Sequence, residues 1–207
     1  MTVSRETPPP PPEAAGVFRD QLPTMQRYAE LLTTAGVERG LIGPREVDRL
    51  WGRHLVNCGL VEPRLPHGAS VADVGTGAGL PGLVWAIARR DLQVTLIEPL
   101  LRRTTFLEEA TETLALTNVS VVRARAEDVR DTFDVVTARA VASMDKLARW
   151  CMPLVAPGGV LLALKGQAAE AEVREARQTL KRLGARDTLV RTYGTEGVPT
   201  TVVEVSK

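Results

Sequence analysis

The sequence predicts an α/β fold: a buried, mainly parallel sheet closed by an antiparallel hairpin and preceded by a helical extension. Three observations predict it. From residue 69 onward, short apolar runs alternate with helix-patterned stretches. The first run leads straight into a glycine-rich loop and then into a helix opened by Pro81. The last two runs are joined by a Gly- and Pro-containing loop with no room for a helix, so they must pair antiparallel.

The chain has 207 residues and is 44% hydrophobic, enough for one domain of ordinary size and a modest extension. Residues 1–15 hold the run Pro8 to Pro12 and predict a disordered or polyproline tail. Residues 16–62 predict a helical extension. Leu22, Met25, Tyr28, Leu31 and Leu32 recur at helical spacing. Pro44 opens a second helix that puts Val47, Leu50, Trp51, His54, Leu55 and Cys58 on one face. Residues 63–207 form the α/β domain. Its predicted strands are 70–74, 94–97, 119–123, 133–138 and 160–164, and the hairpin is 188–193 with 201–205. Helices are predicted over 83–88, 106–114, 144–155 and 169–183, the last ended by Gly184. Strands apolar on both faces imply a sheet covered on both sides.

A formal net charge of +1 offers no bulk attraction for nucleic acid. Arg102, Arg103, Arg123 and Arg125 are interleaved with Glu108, Glu109, Glu112, Asp128 and Asp131, so basic residues are scattered rather than patched. Cys58 and Cys151 lie outside any CxxC pattern, which fits a reducing, cytoplasmic compartment and predicts no metal site. No apolar run approaches the roughly 18 residues that span a bilayer, and the polar, then Pro-rich start does not resemble a secretory signal.

The loop from Asp73 to Gly82 reads D-V-G-T-G-A-G-L-P-G. Glycine allows a tight turn and close approach of a ligand to backbone. Gly77 to Gly82 also spells GxGxxG, a weak dinucleotide signal. In that frame the turn begins at Gly77 and leaves Asp73 inside the strand as an unpaired carboxylate. Starting the turn at Gly75 puts Asp73 at the strand end, where it can be satisfied. That is the D-x-G-x-G-x-G order of S-adenosylmethionine enzymes. Glu98 ends the next strand, where a carboxylate can accept both ribose hydroxyls. Arg125-Ala126-Glu127-Asp128 follows the third strand, as an adenine-lining segment would; equally, acids are favoured at the first turn of a helix. With the terminal hairpin, these features predict the seven-stranded, Rossmann-like class I S-adenosylmethionine-dependent methyltransferase fold.

The glycine loop, Phe106-Leu107, Arg139-Ala140 and Leu164-Lys165-Gly166 together resemble the RsmG (GidB) family, over roughly residues 45 to 207. The resemblance implies methylation of N7 of one guanine in the 530 loop of bacterial 16S ribosomal RNA, with S-adenosylhomocysteine as product. It implies cofactor contacts at Gly75, Leu80, Ala126, Glu127 and Arg139, and draws in Arg53-His54 ahead of the catalytic domain. Asp73, Thr76, Gly77, Gly79 and Glu98 complete the expected cofactor set. Two departures stand out. Asn57 and Cys58 occupy positions where the family often has an acid and a serine, and Gly40-Leu-Ile-Gly43 replaces the usual N-terminal pattern.

Guanine N7 presents a lone pair at neutral pH, so its methylation needs positioning rather than a base. The chain fits this. No N/D-P-P-Y/F motif follows the fourth strand, where Thr137 to Ala140 stand, and no Pro-Cys nucleophile is present. Cys151 reads as core. Arg139 is expected to meet the cofactor carboxylate, the guanine edge or a phosphate, against a surface ion pair with Asp145 or Glu127. Lys165 suits a phosphate contact. His54 is a candidate substrate contact, although a histidine on a helix face is more often packed. The expected partner is the small ribosomal subunit, and the expected state a monomer. The rival readings are a methyltransferase for a small molecule or protein side chain, and a cofactor-binding RNA module without turnover.

Overall fold

A computed structural model describes residues 6–139, 142–194 and 199–207. Seven strands form one sheet: β1 (Ser70–Val74), β2 (Gln93–Ile97), β3 (Val119–Val122), β4 (Phe133–Arg139), β5 (Val155–Lys165), β6 (Asp187–Tyr193) and β7 (Thr200–Ser206). Their order is β3-β2-β1-β4-β5-β7-β6. The first five run parallel, and β7 pairs antiparallel with both β5 and β6. The order reverses between β1 and β4, so their carboxyl ends diverge into a crevice where ligands bind in open α/β sheets.

Alternate strand residues face opposite sides, and each side buries its own core. Val71, Leu96, Val135 and Leu162 pack on one side with Trp85 and Ile87 of α4 (Gly82–Ala88) and Phe106 and Leu107 of α5 (Leu101–Thr113). Ala72, Val136, Ala163 and Val203 pack on the other with α6 (Met144–Cys151) and α7 (Ala169–Arg182). The predicted helix over 144–155 is shorter than expected. It passes into a 3-10 turn at Met152–Leu154, where Pro153 lacks the donor to continue, and Val155 already opens β5.

The helical extension lies on the first side and shares its core. It comprises α1 (Pro12–Phe18), α2 (Leu22–Leu31) and a mixed helical run over residues 44–59. That run is 3-10 over Pro44–Arg49, π over Leu50–Val56, and ends in the short α3 (Asn57–Gly59). Its predicted apolar face is buried throughout, His54 included. Among the hydrogen bonds that fasten the extension to the sheet domain, Trp85 Nε1 donates to the Cys58 carbonyl at 2.9 Å, and Tyr28 Oη to the Ala78 carbonyl at 2.7 Å.

Of the tail over residues 1–15, expected to be disordered or polyproline, the described part is extended at Pro11 and helical from Pro12 on, which corrects the expectation of disorder there. The helix α1 starts at Pro12, since proline suits the first helical position. The proline run before it is extended at Pro11 and is pinned, with Trp51 Nε1 donating to the Pro8 carbonyl at 2.8 Å. Residues 1–5, 140–141 (Ala140 among them) and 195–198 lie outside the described residues.

Candidate active site

The glycine loop takes the frame that begins at Gly75. Gly75, Gly77 and Gly79 have φ of 66°, 62° and 100°, the left-handed region that favours glycine. The Gly75 N–H donates to the Ile97 carbonyl at 2.8 Å, tying the turn to the end of β2. A Cβ on Gly82 would lie 2.4 Å from Leu96 and 2.8 Å from Asp73, so the start of α4 can reach the strand end only as glycine.

Asp73 lies at the end of β1, next to the turn that begins at Gly75. It is the last residue but one of β1 and is fully buried, and one of its oxygens is satisfied because the loop folds back over the strand. The Thr76 hydroxyl donates to its Oδ2 at 2.5 Å and the Gly82 N–H at 2.8 Å. Its Oδ1 has no hydrogen-bond partner among the described residues. Burial pushes the carboxyl up to about 6, against the lowering by Thr76, Gly82 and the Arg139 charge.

Glu98, just past the end of β2, is also buried. Its Oε2 accepts from the Gly77 N–H and from Arg103 Nη1, each at 3.2 Å, and its Oε1 from the Leu100 N–H at 3.2 Å. A cavity of about 370 Å³ opens here, lined by Gly75, Ile97, Glu98, Leu100, Arg103, Ala126, Glu127 and Trp150. Ala126–Asp128 is a 3-10 turn with acids in its first turn, as a helix start favours, and Ala126 and Glu127 line this cavity. A second cavity of about 380 Å³ lies over the loop, lined by Ile42, His54, Gly75, Thr76, Gly77, Leu80, Arg103 and Arg139. A third, about 540 Å³, is lined by Arg53, Asn57, Arg139, Leu164, Lys165, Gly166 and Glu172. Gly75 and Arg103 are common to the first two cavities and Arg139 to the last two, so the three run together across the carboxyl ends of the strands.

Arg139 ends β4 and pairs with neither Asp145 nor Glu127. Its Nη2 donates to His54 Nδ1, and its Nη1 to Cys58 Sγ at 3.2 Å. On the far side of the ring, His54 Nε2 meets Glu46 Oε2 at 2.9 Å. Burial, then the Arg139 charge, pushes the imidazole down to about 4, so it is neutral at pH 7. Burial likewise raises the Cys58 thiol, which stays protonated. His54, expected as a substrate contact, is thus occupied on both nitrogens.

Lys165 also departs from expectation. Its ammonium is nearly buried and donates to the Ala142 carbonyl at 2.6 Å while pairing with Glu172 Oε2 at 2.6 Å. The same oxygen accepts from the Met144 N–H at 2.7 Å. Lys165 therefore braces the start of α6 against α7. An ammonium held this way offers a phosphate little, since breaking a buried pair strands its partner's charge.

The sequence reading missed Glu46, Trp150 and the bracing role of Tyr28. The eight-residue spacing of Glu46 and His54 could have placed both on one helical face. Nothing local points to Trp150, which reaches the first cavity from α6 on the other side of the sheet. Among the described residues, no group of three or more His, Cys, Asp or Glu could hold a metal ion, and no helix is long and apolar enough to cross a membrane.

Comparison with known proteins gives the same address. The family described as rRNA small subunit methyltransferase G (GidB) matches residues 21–199. A protein of Streptomyces avermitilis named ribosomal RNA small subunit methyltransferase G is 54% identical over 201 residues, covering 96% of this chain and 84% of its own. One of that name from Thermobifida fusca is 60% identical over 175 residues, covering 84% and 74%. Among solved structures, TYW2 of M. jannaschii in complex with AdoMet is similar with a TM-score of 0.61 at 19% identity, covering 74% of each chain. Precorrin-6y C5,15-methyltransferase of Geobacter metallireducens is similar with a TM-score of 0.54 at 18% identity, covering 81% of this chain and 90% of its own. At such identities these two speak for the fold alone.

Proposed function

Because this chain belongs to the rRNA small subunit methyltransferase G family, we propose that it transfers a methyl group from S-adenosylmethionine to N7 of a guanine in the 530 loop of 16S ribosomal RNA. It acts as a monomer on the small ribosomal subunit, in the cytoplasm. One observation carries the reading: Arg139 stands where the cavity over the glycine loop meets the cavity lined by Arg53, Asn57 and Glu172. A nucleotide held in the outer cavity would present its edge toward the cofactor side at this point.

The residues present fit the cofactor. Asp73 Oδ1 is a buried acceptor without a partner beside the loop, among the described residues, suited to a water-mediated link to an ammonium. Glu98 offers remaining lone pairs to ribose hydroxyls. Ile97, Leu100, Ala126 and Trp150 give apolar walls for an adenine, with Glu127 at the rim. Thr76, Gly77 and Leu80 shape the floor, and Gly79, buried behind them, carries the turn. When bound, the cofactor supplies a methyl group carried on a sulfonium.

The protein's own task is then positioning and exclusion. Guanine N7 needs no deprotonation, and the groups near Arg139 that could take a proton are already committed: His54 to Arg139 and Glu46, Glu172 to Lys165 and the Met144 N–H. Among the described residues two of the five Arg139 N–H groups have partners, and the others suit the guanine O6, a phosphate or the cofactor carboxylate. Arg53, more than half exposed, can meet the RNA backbone while paired with Glu46.

Small ribosomal subunits from cells lacking the enzyme, incubated with labelled S-adenosylmethionine, provide the test. The expected outcome is label on one guanine of the 530 loop, released as 7-methylguanine. Binding of the cofactor with no label in 16S RNA would sink the reading.

A further inference from the structure

We propose that Glu46 is a positioning residue for methyl transfer, acting on Arg139 through the imidazole of His54. The inference rests on the role assigned to Arg139 above. A guanidinium only donates, so the His54 nitrogen facing it, Nδ1, must present a lone pair. The proton of the neutral ring then sits on Nε2, which donates to Glu46 Oε2 at 2.9 Å. Glu46 thereby selects the one tautomer that can accept from Arg139, and it fixes the plane of the ring.

The remaining contacts make this a directed arrangement. The other Glu46 oxygen is occupied by Arg53 Nη1 at 3.1 Å, which orients the carboxylate. Cys58 Sγ accepts from the second guanidinium nitrogen at 3.2 Å, so Arg139 is gripped at two points. A long arginine loose in a cleft would have to be ordered in every turnover; a gripped one has lost that freedom on folding. Glu46 itself lines neither cavity that Arg139 lines. Glu46 therefore acts on the reaction only through its partners: through His54 on Arg139, which shows in kcat, and through Arg53, whose release would show in the KM for the subunit.

The full chain is assayed on small subunits with labelled cofactor, alongside Glu46→Ala, Glu46→Gln, His54→Leu and His54→Gln. Glu46→Ala and His54→Leu should lower kcat by about 10- to 100-fold with cofactor Kd changed less than about threefold. Glu46→Gln and His54→Gln should recover to within about fivefold of wild type. In His54→Gln the new amide can both accept from Arg139 and donate to Glu46. In Glu46→Gln the new amide carbonyl can still accept from the Nε2–H of His54. Wild-type kcat in Glu46→Ala, or His54→Gln as impaired as His54→Leu, overturns the proposal. Long-range ¹H–¹⁵N spectra of the wild-type protein give a readout that needs neither folded variants nor turnover. At neutral pH, His54 should show a bare Nδ1 and a protonated Nε2, and a protonated Nδ1 overturns the proposal. Should the wild type methylate no RNA, the functional reading fails, and these spectra still judge the arrangement around Arg139.

Discussion

The two halves of the cleft are built from opposite chemistry. On the β1–β2 side the polar equipment is anionic and buried: Asp73 and Glu98, held by the backbone N–H groups of Gly82, Gly77 and Leu100. On the β4–β5 side it is cationic: Arg139, Lys165 and, from the extension, Arg53. Carboxylates suit a ligand rich in hydroxyl and ammonium donors, and guanidinium groups suit a base edge or phosphate. The halves also differ in how they are held. The first is pinned by three main-chain donors, which a side-chain substitution cannot remove, beside the Thr76 hydroxyl and Arg103. The second depends on side chains gripping side chains, and is correspondingly easier to disturb.

The largest expected effect comes from putting an anion into the anionic half. Gly75→Asp places a side chain at φ 66° and a third carboxylate near Asp73 and Glu98. Cofactor affinity measured by calorimetry should fall by more than about 100-fold, near 3 kcal/mol. Retained affinity would show that this loop does not hold the cofactor. The cationic half should respond differently. Arg139→Lys keeps the charge and loses the fork, so kcat should fall by about 100-fold while cofactor Kd moves less than about tenfold. Equal losses in both would erase the division between the halves.

A smaller effect separates the halves by pH. His54 is pushed from 6.5 to about 4, so the unfolded chain takes up a proton that the folded one refuses; its contribution to stability, full above pH 6.5, is lost as pH falls toward 4. Asp73 is raised from 3.8 to about 6, so the folded chain protonates first; its contribution is full below pH 3.8 and is lost as pH rises through 6. Between pH 6 and 4 the two oppose each other. In His54→Gln only the Asp73 contribution remains, and the variant should gain stability relative to wild type on acidification, by up to about 3 kcal/mol. Denaturant unfolding at pH 7 and pH 4.5 measures it. A parallel shift of both proteins would mean that the folded chain protonates His54 as readily as the unfolded chain does.

The anionic half was legible in the sequence because its parts are contiguous. Asp73, the glycines and Glu98 span 26 residues, and each answers a local demand for a turn, a strand end or a carboxylate in a fixed place. The strands were legible for the same reason, being short apolar runs between helix-patterned stretches. The cationic half was legible only in its members. Arg139 and Lys165 could be named from strand ends, but their partners come from distant chain: His54 lies 85 positions before Arg139, and Ala142 lies 23 before Lys165. A lone lysine at a strand edge reads the same whether it meets phosphate or is already paired with Glu172. The proline run misled for a related reason. Its composition forbids internal hydrogen bonds, yet says nothing about a tryptophan 43 residues on that can bond one of its carbonyls.

One glycine outside the cleft has a consequence for genetics. Gly59 lies in α3, in the helical extension, and lines none of the three cavities. A Cβ there would sit 2.5 Å from Val17 and 2.8 Å from Phe18, side chains of α1. An alanine allele must displace the buried Phe18 ring and Val17, or α3 itself, and the neighbouring Cys58 grips Arg139. In a screen for loss-of-function alleles, this small residue remote from the cofactor would score with the cleft residues. Mapping such alleles by distance from the cofactor alone would misread it as a bystander.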